Sequence, residues 1–153
     1  MTNNDALKLE NQLCFSIYAA SRAITKIYRP FLDTLGITYP QYLVMLVLWE
    51  HNTLSLKELG HILYLDSGTL TPLLKRLEGM QLIKRERSRE DERVLCVSIT
   101  EKGLEMKQQA IGIPECILDT MNVDIPLLVT LKKEMDELLI SLKKESQVEQ
   151  EEK

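Results

Sequence analysis

Ser55-Leu-Lys-Glu-Leu-Gly-His-Ile-Leu-Tyr-Leu-Asp-Ser-Gly-Thr-Leu-Thr-Pro-Leu-Leu-Lys-Arg-Leu-Glu-Gly-Met80 is the stretch whose reading decides the fold. Ser55 and Glu58 are spaced as a capping box and predict a short helix ending near Leu63. Asp66 and Ser67 are both good N-caps and predict a second helix to about Met80. Pro72, at most two turns inside, should kink it slightly. Two extended stretches come next, Leu82–Arg87 and Val94–Ile99, joined by the charged segment Ser88–Arg93. A hairpin tip that charged cannot be buried, so it should project as a wing. Two short helices and then a hairpin are the order of a winged helix-turn-helix, here residues 37–100.

Outward from this core the pattern is helical. Leu13, Ile17, Ala20, Ile24, Ile27 and Phe31 recur at three- and four-residue steps and predict a first helix from about Leu7 to Leu32, with Gly36 closing the segment. Thr38-Tyr-Pro-Gln41 reads as a capping box with Pro40 in the first turn, opening an apolar helix through Tyr42–Glu50. Thr100 should cap a helix running towards Met121 and bending near Pro114. Asp124 should cap a last helix, with Pro126 in its first turn and an apolar stripe at Leu127, Leu128, Leu131, Met135, Leu138, Leu139 and Leu142. So small a core offers that stripe no partner. Residues 1–36 and 101–145 are therefore expected to form a helical dimerisation region of a homodimer. Residues 146–153 read as a flexible acidic tail. The expected class is mainly α with a small β-hairpin.

Composition narrows the function. The chain has 153 residues, 44% hydrophobic content and a net charge of −4, and no apolar run long enough to span a bilayer, so no membrane partner is expected. The start Met1-Thr-Asn-Asn-Asp-Ala lacks a secretory pattern, which predicts a cytoplasmic protein whose three cysteines are thiols. The acidic average hides an asymmetry: Ser67–Arg93 holds seven basic residues against five acidic ones. His51 and His61 have no Cys or acidic ligand at zinc-site spacing, and there is no Gly-rich phosphate loop. No metal, cofactor or enzymatic turnover is expected.

The second helix of the central motif would lie in the major groove of double-stranded operator DNA. Ser67, Thr69 and Thr71 offer short hydroxyls near its start, and Lys75 and Arg76 come later as phosphate or guanine contacts. Arg87, Arg89 and Arg93 on the wing would reach the backbone or the minor groove. Charge alone fits a solvated helix face and a plain charged hairpin equally well. The order and polarity of the elements decide for DNA.

Leu65–Glu78 resembles the recognition helix of the MarR family of dimeric repressors, and more narrowly its organic-hydroperoxide-sensing, OhrR-type branch. Asp91-Glu-Arg93 is similar to the family's Asp-x-Arg wing signature, and Ile99-Thr-Glu-Lys-Gly103 to its entry into the next helix. The resemblance covers roughly Leu9 to Ala110. Cys14 with Tyr18, Tyr28 and Tyr39 points to the branch.

Phenol donors near a thiol favour the thiolate, the form that peroxides oxidise. Cys14 and Tyr18 lie about one turn apart on one face. Tyr28 is 14 residues beyond Cys14, about 21 Å along a helix, so only a second copy's Tyr28 would meet the thiol. The resemblance implies that Tyr28 and Tyr39 stabilise the thiolate from the partner subunit, with Tyr18 nearby. It also implies an organic hydroperoxide as oxidant and Cys116 as resolving cysteine, in an intersubunit Cys14–Cys116 disulfide. A low-molecular-weight thiol is the alternative trap. Cys96, in a wing strand, reads as structural. Two rivals stay open: a MarR-like repressor released by a small lipophilic or phenolic ligand, and a thiol-redox enzyme in which the helix-turn-helix is incidental.

Overall fold

The computed structural model describes the backbone of residues 5–151 and the side chains of residues 5–143. It resolves into two units, one reaching to Ile117 and one from Leu118 onward.

The first helix, α1, spans Leu13–Leu35, six residues later than its expected start. Before it lie two single-turn 3-10 segments, Asp5–Leu7 and Leu9–Asn11. The cause is local. Asn11 donates its side-chain amide to the Asp5 carbonyl (2.8 Å) and Gln12 donates to the Ala6 carbonyl (2.6 Å), offering the backbone an alternative to the helix. Gly36 ends α1 at φ 69°, its N–H shared between the Leu32 and Asp33 carbonyls. Helix α2, Tyr39–His51, opens with the expected Thr38–Gln41 capping box and buries Tyr42, Val44, Met45, Val47, Leu48 and Trp49.

Strand β1, Thr53–Ser55, is an element the sequence pattern does not predict. It pairs antiparallel with Cys96, Val97 and Ser98 in the second strand of the wing, so the expected hairpin is two-thirds of a three-stranded sheet with that strand in the middle. Helix α3, Leu56–Leu63, starts on the Ser55–Glu58 capping box, and α4, Ser67–Gly79, on the Asp66 side chain. Strands β2, Ile83–Arg87, and β3, Leu95–Ile99, complete the wing. The expected bent helix after Thr100 is two helices, α5 at Glu101–Ala110 and α6 at Ile113–Met121. The break falls at Ile111–Gly112, and Pro114 sits in the first turn of α6, where its missing N–H costs nothing.

Leu48, Leu59, Leu70, Leu74, Leu77, Leu82, Ile83 and Val97 are fully enclosed and join α2, α3, α4 and the sheet into one core. Polar struts fix α5 to it. The buried Trp49 indole donates to the Gly103 carbonyl (2.8 Å), Thr100 Oγ1 donates to the Gln81 carbonyl (2.7 Å), and Lys102 Nζ donates to the Met80 carbonyl at the end of α4 (2.9 Å).

Between α2 and β1, Asn52 has φ 61° and ψ −48°, strained backbone for a residue with a Cβ. Asn52→Gly should relieve that strain and raise unfolding free energy by about 1 kcal/mol, less glycine's extra unfolded-state entropy. Urea unfolding reads the outcome, and a midpoint lowered by the equivalent of glycine's full entropic cost, about 1 kcal/mol, would show that the backbone there is unstrained.

In the second unit, α7 runs Ile125–Glu151. Ile125, Leu127, Val129, Leu131, Leu139, Ile140 and Leu142 are all exposed on it. Of the expected tail, 146–153, the backbone is helical to Glu151, while residues 152 and 153 lie outside the described residues. No single helix among the described residues is long and apolar enough to cross a membrane.

Candidate nucleic-acid interface and thiol site

Helix α4 is presented by its start. The Asp66 carboxylate accepts the Thr69 N–H (2.7 Å), and that bond holds its pKa below the usual aspartate value. Leu70, Leu74 and Leu77 face the core, which turns Ser67, Thr69, Thr71, Lys75 and Arg76 outward, all exposed. Thr71 Oγ1 donates to the Ser67 carbonyl (2.7 Å), so in this state its hydroxyl offers oxygen lone pairs rather than a proton. The helices α3 and α4 approach closely at Gly60, where a Cβ would stand 2.6 Å from the Leu65 carbonyl oxygen.

At the wing tip the Asp91 carboxylate accepts three bonds from Arg93: its backbone N–H (3.0 Å), Nε (3.0 Å) and Nη2 (3.3 Å). The same bonds lower the Asp91 pKa, side chain first. Arg93 nevertheless stays 90% exposed, a guanidinium aimed outward and braced at its base. Arg87 donates to the Arg93 carbonyl (3.3 Å), and Arg89 is exposed on the loop. Lower on the wing, Glu78 at the end of α4 binds Arg85 of β2 through Nη2 (2.8 Å), Nε (3.1 Å) and the backbone N–H (3.0 Å). The sequence does not announce this pair, because its members lie in different elements.

The thiol residues divide. Cys14 is exposed in the first turn of α1, Cys116 is exposed in α6, and Cys96 is half-buried in β3 opposite Ser55 and Glu86. Tyr28 and Tyr39 meet at 4.9 Å between ring centroids, and Tyr42 joins them at 5.8 and 6.3 Å. The sequence marks Tyr42 only as core. Its three-residue step from Tyr39, one helical face, is the signal that would have placed it here. Burial pushes all three phenols above their usual pKa, and neighbouring phenols add to this at Tyr28 and Tyr42. They remain protonated donors. Tyr18 lies apart and exposed, with the Arg22 guanidinium 5.5 Å over its ring. It shares with Tyr39 a groove of about 760 Å³ along α1, lined also by Phe15, Arg22, Lys26 and Arg29. Among the described residues of one protomer, no tyrosine hydroxyl bonds Cys14.

A helix pair that presents α4 for a major groove, with a braced basic wing beside it, defines a winged-helix DNA-binding regulator. Residues 26–110 match the family of the transcriptional regulator SarA/Rot. The chain is 60% identical over 114 residues to the organic hydroperoxide resistance transcriptional regulator of Bacillus subtilis (strain 168), covering 74% of this chain and 78% of that one. AbfR of Staphylococcus epidermidis is similar in structure. Its reduced and overoxidized forms bound to DNA each match with a TM-score of 0.73 at 39% identity, over 92% of this chain and 99% of that one. Its disulfide form matches at 0.61 and 40%, over 89% and 96%. The reduced form of MarR from E. coli shares the fold, at 0.67 and 23% over 84% and 96%. The chain belongs to the MarR-like SarA/Rot family of winged-helix transcriptional regulators.

Proposed function

We propose that this protein is a homodimeric repressor that holds operator DNA while Cys14 is reduced and lets go when an organic hydroperoxide oxidises it. The observation that carries this is the 60% identity to an organic hydroperoxide resistance regulator, in a chain with an exposed Cys14 and a cluster of protonated phenols. Ser67, Thr69, Thr71, Lys75 and Arg76 read the major groove. Arg87, Arg89 and Arg93 reach the backbone or minor groove, with Asp91 bracing Arg93. Residues 1–36 and 101–145 form the dimer contact, consistent with the exposed apolar face of α7. Across it a second copy's Tyr28 and Tyr39, with Tyr18 on the same groove, donate to the Cys14 thiolate.

Oxidation proceeds in two balanced steps. The thiolate attacks the outer oxygen of ROOH, the O–O bond breaks, and the alkoxide takes a proton to leave as ROH, giving a sulfenic acid. The Cys116 thiol of the other subunit then displaces water and forms the Cys14–Cys116 disulfide. AbfR is found on DNA in both reduced and overoxidized states and has a separate disulfide form, which favours the cross-link as the releasing event. The cross-link would shift the two recognition helices away from half-sites one helical turn or more apart.

A gel-shift on a promoter fragment beside the protein's own gene tests this, with a non-reducing denaturing gel of the same samples. Wild type should release DNA on treatment with organic hydroperoxide and show a covalent dimer. Cys116→Ser should show no such dimer and should retain DNA over the same oxidant range. A covalent dimer that persists in Cys116→Ser would move the cross-link to another cysteine, Cys14 or Cys96 of the second copy, whereas wild type released with no covalent dimer would leave a small thiol as the trap.

One observation favours a second reading. A pocket of about 350 Å³ lined mainly by Tyr42, Leu46, Trp49, Ile111 and Pro114, with Glu50 and Lys107 also on its wall, suits a small phenolic or amphiphilic effector. A repressor released through that pocket would respond equally well without Cys14.

A further inference from the structure

We propose that Glu78 and Arg85 form a clamp that sets the wing in register with the recognition helix, and so act as positioning residues for DNA binding. Glu78 sits in the last turn of α4, where a carboxylate opposes the helix dipole. Three donors from one residue of β2 offset that cost. Strand β2 is the sheet edge, and Ser88 N–H bonds the Val94 carbonyl in its ladder with β3. Alternation from that bond turns the Arg85 N–H outward, away from β3. Glu78 Oε1 accepts this otherwise open edge donor at 3.0 Å, and Oε2 takes Nε and Nη2 of the same residue. Backbone and side chain of β2 are thus both tied to the end of the helix that enters the groove.

Arg85 counts among the basic residues of Ser67–Arg93, yet its side chain is only 21% exposed and its charge is matched by Glu78. It is poorly placed as a phosphate contact. Its leverage comes from its distance to the wing tip. Arg89 is four residues on, about 13 Å away if the chain runs extended. A tilt of roughly 10° at the clamp would carry the wing tip about 2 Å, beyond the tolerance of a positioned contact. Arg93, braced by Asp91, keeps its own aim but would lose its place.

The test is a double-mutant cycle on the promoter fragment by fluorescence anisotropy, using Glu78→Gln, Arg93→Ala and the pair. Glu78→Gln should weaken binding about tenfold, the scale of a lost charge-assisted bond. In the Arg93→Ala background the same change should cost less than about twofold, because the contact it positions is already gone. A role confined to holding the fold together would cost the same in both backgrounds. If Glu78→Gln folds poorly by thermal melt, Arg85→Lys takes its place, keeping the charge and backbone donor but losing the fork. Wild-type affinity in the clamp variant, or equal losses in both backgrounds, would overturn the proposal. Arg93→Ala binding like wild type would overturn it as well, and would show that the failure lies in the wing contact itself.

Discussion

Cys14→Ser should bind the promoter fragment as tightly as wild type and stay bound under organic hydroperoxide that releases wild type. Serine keeps the size and the hydrogen-bonding hydroxyl but has no oxidisable sulfur, so neither the sulfenic acid nor the disulfide can form. Cys14 is exposed, so the exchange leaves the packing of the protomer undisturbed. The expected contrast is large. A repressor whose recognition helices lose their half-site spacing falls towards non-specific binding, on the order of a thousandfold weaker. On the proposed reading the tyrosines would serve as donors to the thiolate, and burial, by raising the pKa of Tyr28 and Tyr39, keeps both phenols protonated in the neutral range. Anisotropy titrations with and without cumene hydroperoxide, run at one salt concentration, read the effect. If Cys14→Ser is released as readily as wild type, thiol sensing is wrong and the pocket at Trp49 becomes the place to look for an effector.

How much of the fold is legible in the chain depends on the range of each interaction. Capping is chemistry within four residues, and the caps at Thr38, Ser55, Asp66 and Thr100 all stand where the sequence places them. The order of helices and wing is set by those caps. Strand β1 cannot be read that way, because Thr53–Ser55 is extended by its pairing with Ser98, Val97 and Cys96 more than forty residues on. The start of α1 is lost to the Asn11 and Gln12 amides, which compete for carbonyls that a periodicity count assumes are helical. At the site, the outward face of α4 is legible because Leu70, Leu74 and Leu77 mark its opposite side. The Glu78–Arg85 clamp is not, since a strand and a helix must meet before the pair exists. Cys14 and its partners span both cases. The residue types are visible in the sequence, but within one protomer only Tyr28, Tyr39 and Tyr42 come together, and their meeting with Cys14 is what the proposed dimer would supply.

Gly103→Ala should cost about 3 kcal/mol of unfolding free energy and lower the thermal midpoint by about 10 °C, although alanine is the better helix former by about 1 kcal/mol. Gly103 is the third residue of α5, and its N–H is held by the Thr100 hydroxyl at 3.1 Å. A Cβ there would stand 2.3 Å from the Leu82 carbonyl oxygen and 2.7 Å from Ile99 Cγ1. The first neighbour is backbone and cannot rotate away. Leu82 O is also pinned, since it accepts the Thr100 N–H at 3.1 Å. Relief therefore requires α5 to move off the sheet. That motion would stretch the Trp49 bond to the Gly103 carbonyl and leave a buried indole N–H unsatisfied. It would also strain the Thr100 hydroxyl's bond to Gln81. Steric overlap thus outweighs propensity. Gly79→Ala serves as the matched control, for nothing lies within 4 Å of a Cβ there and the change should be neutral or mildly stabilising. Calorimetry on both variants decides, and a Gly103→Ala protein as stable as wild type would mean that α5 can shift freely. The glycine in Ile99–Gly103, part of the family resemblance, then has a physical reason: it lets α5 start against the wing, from which the chain runs on through α6 to Cys116.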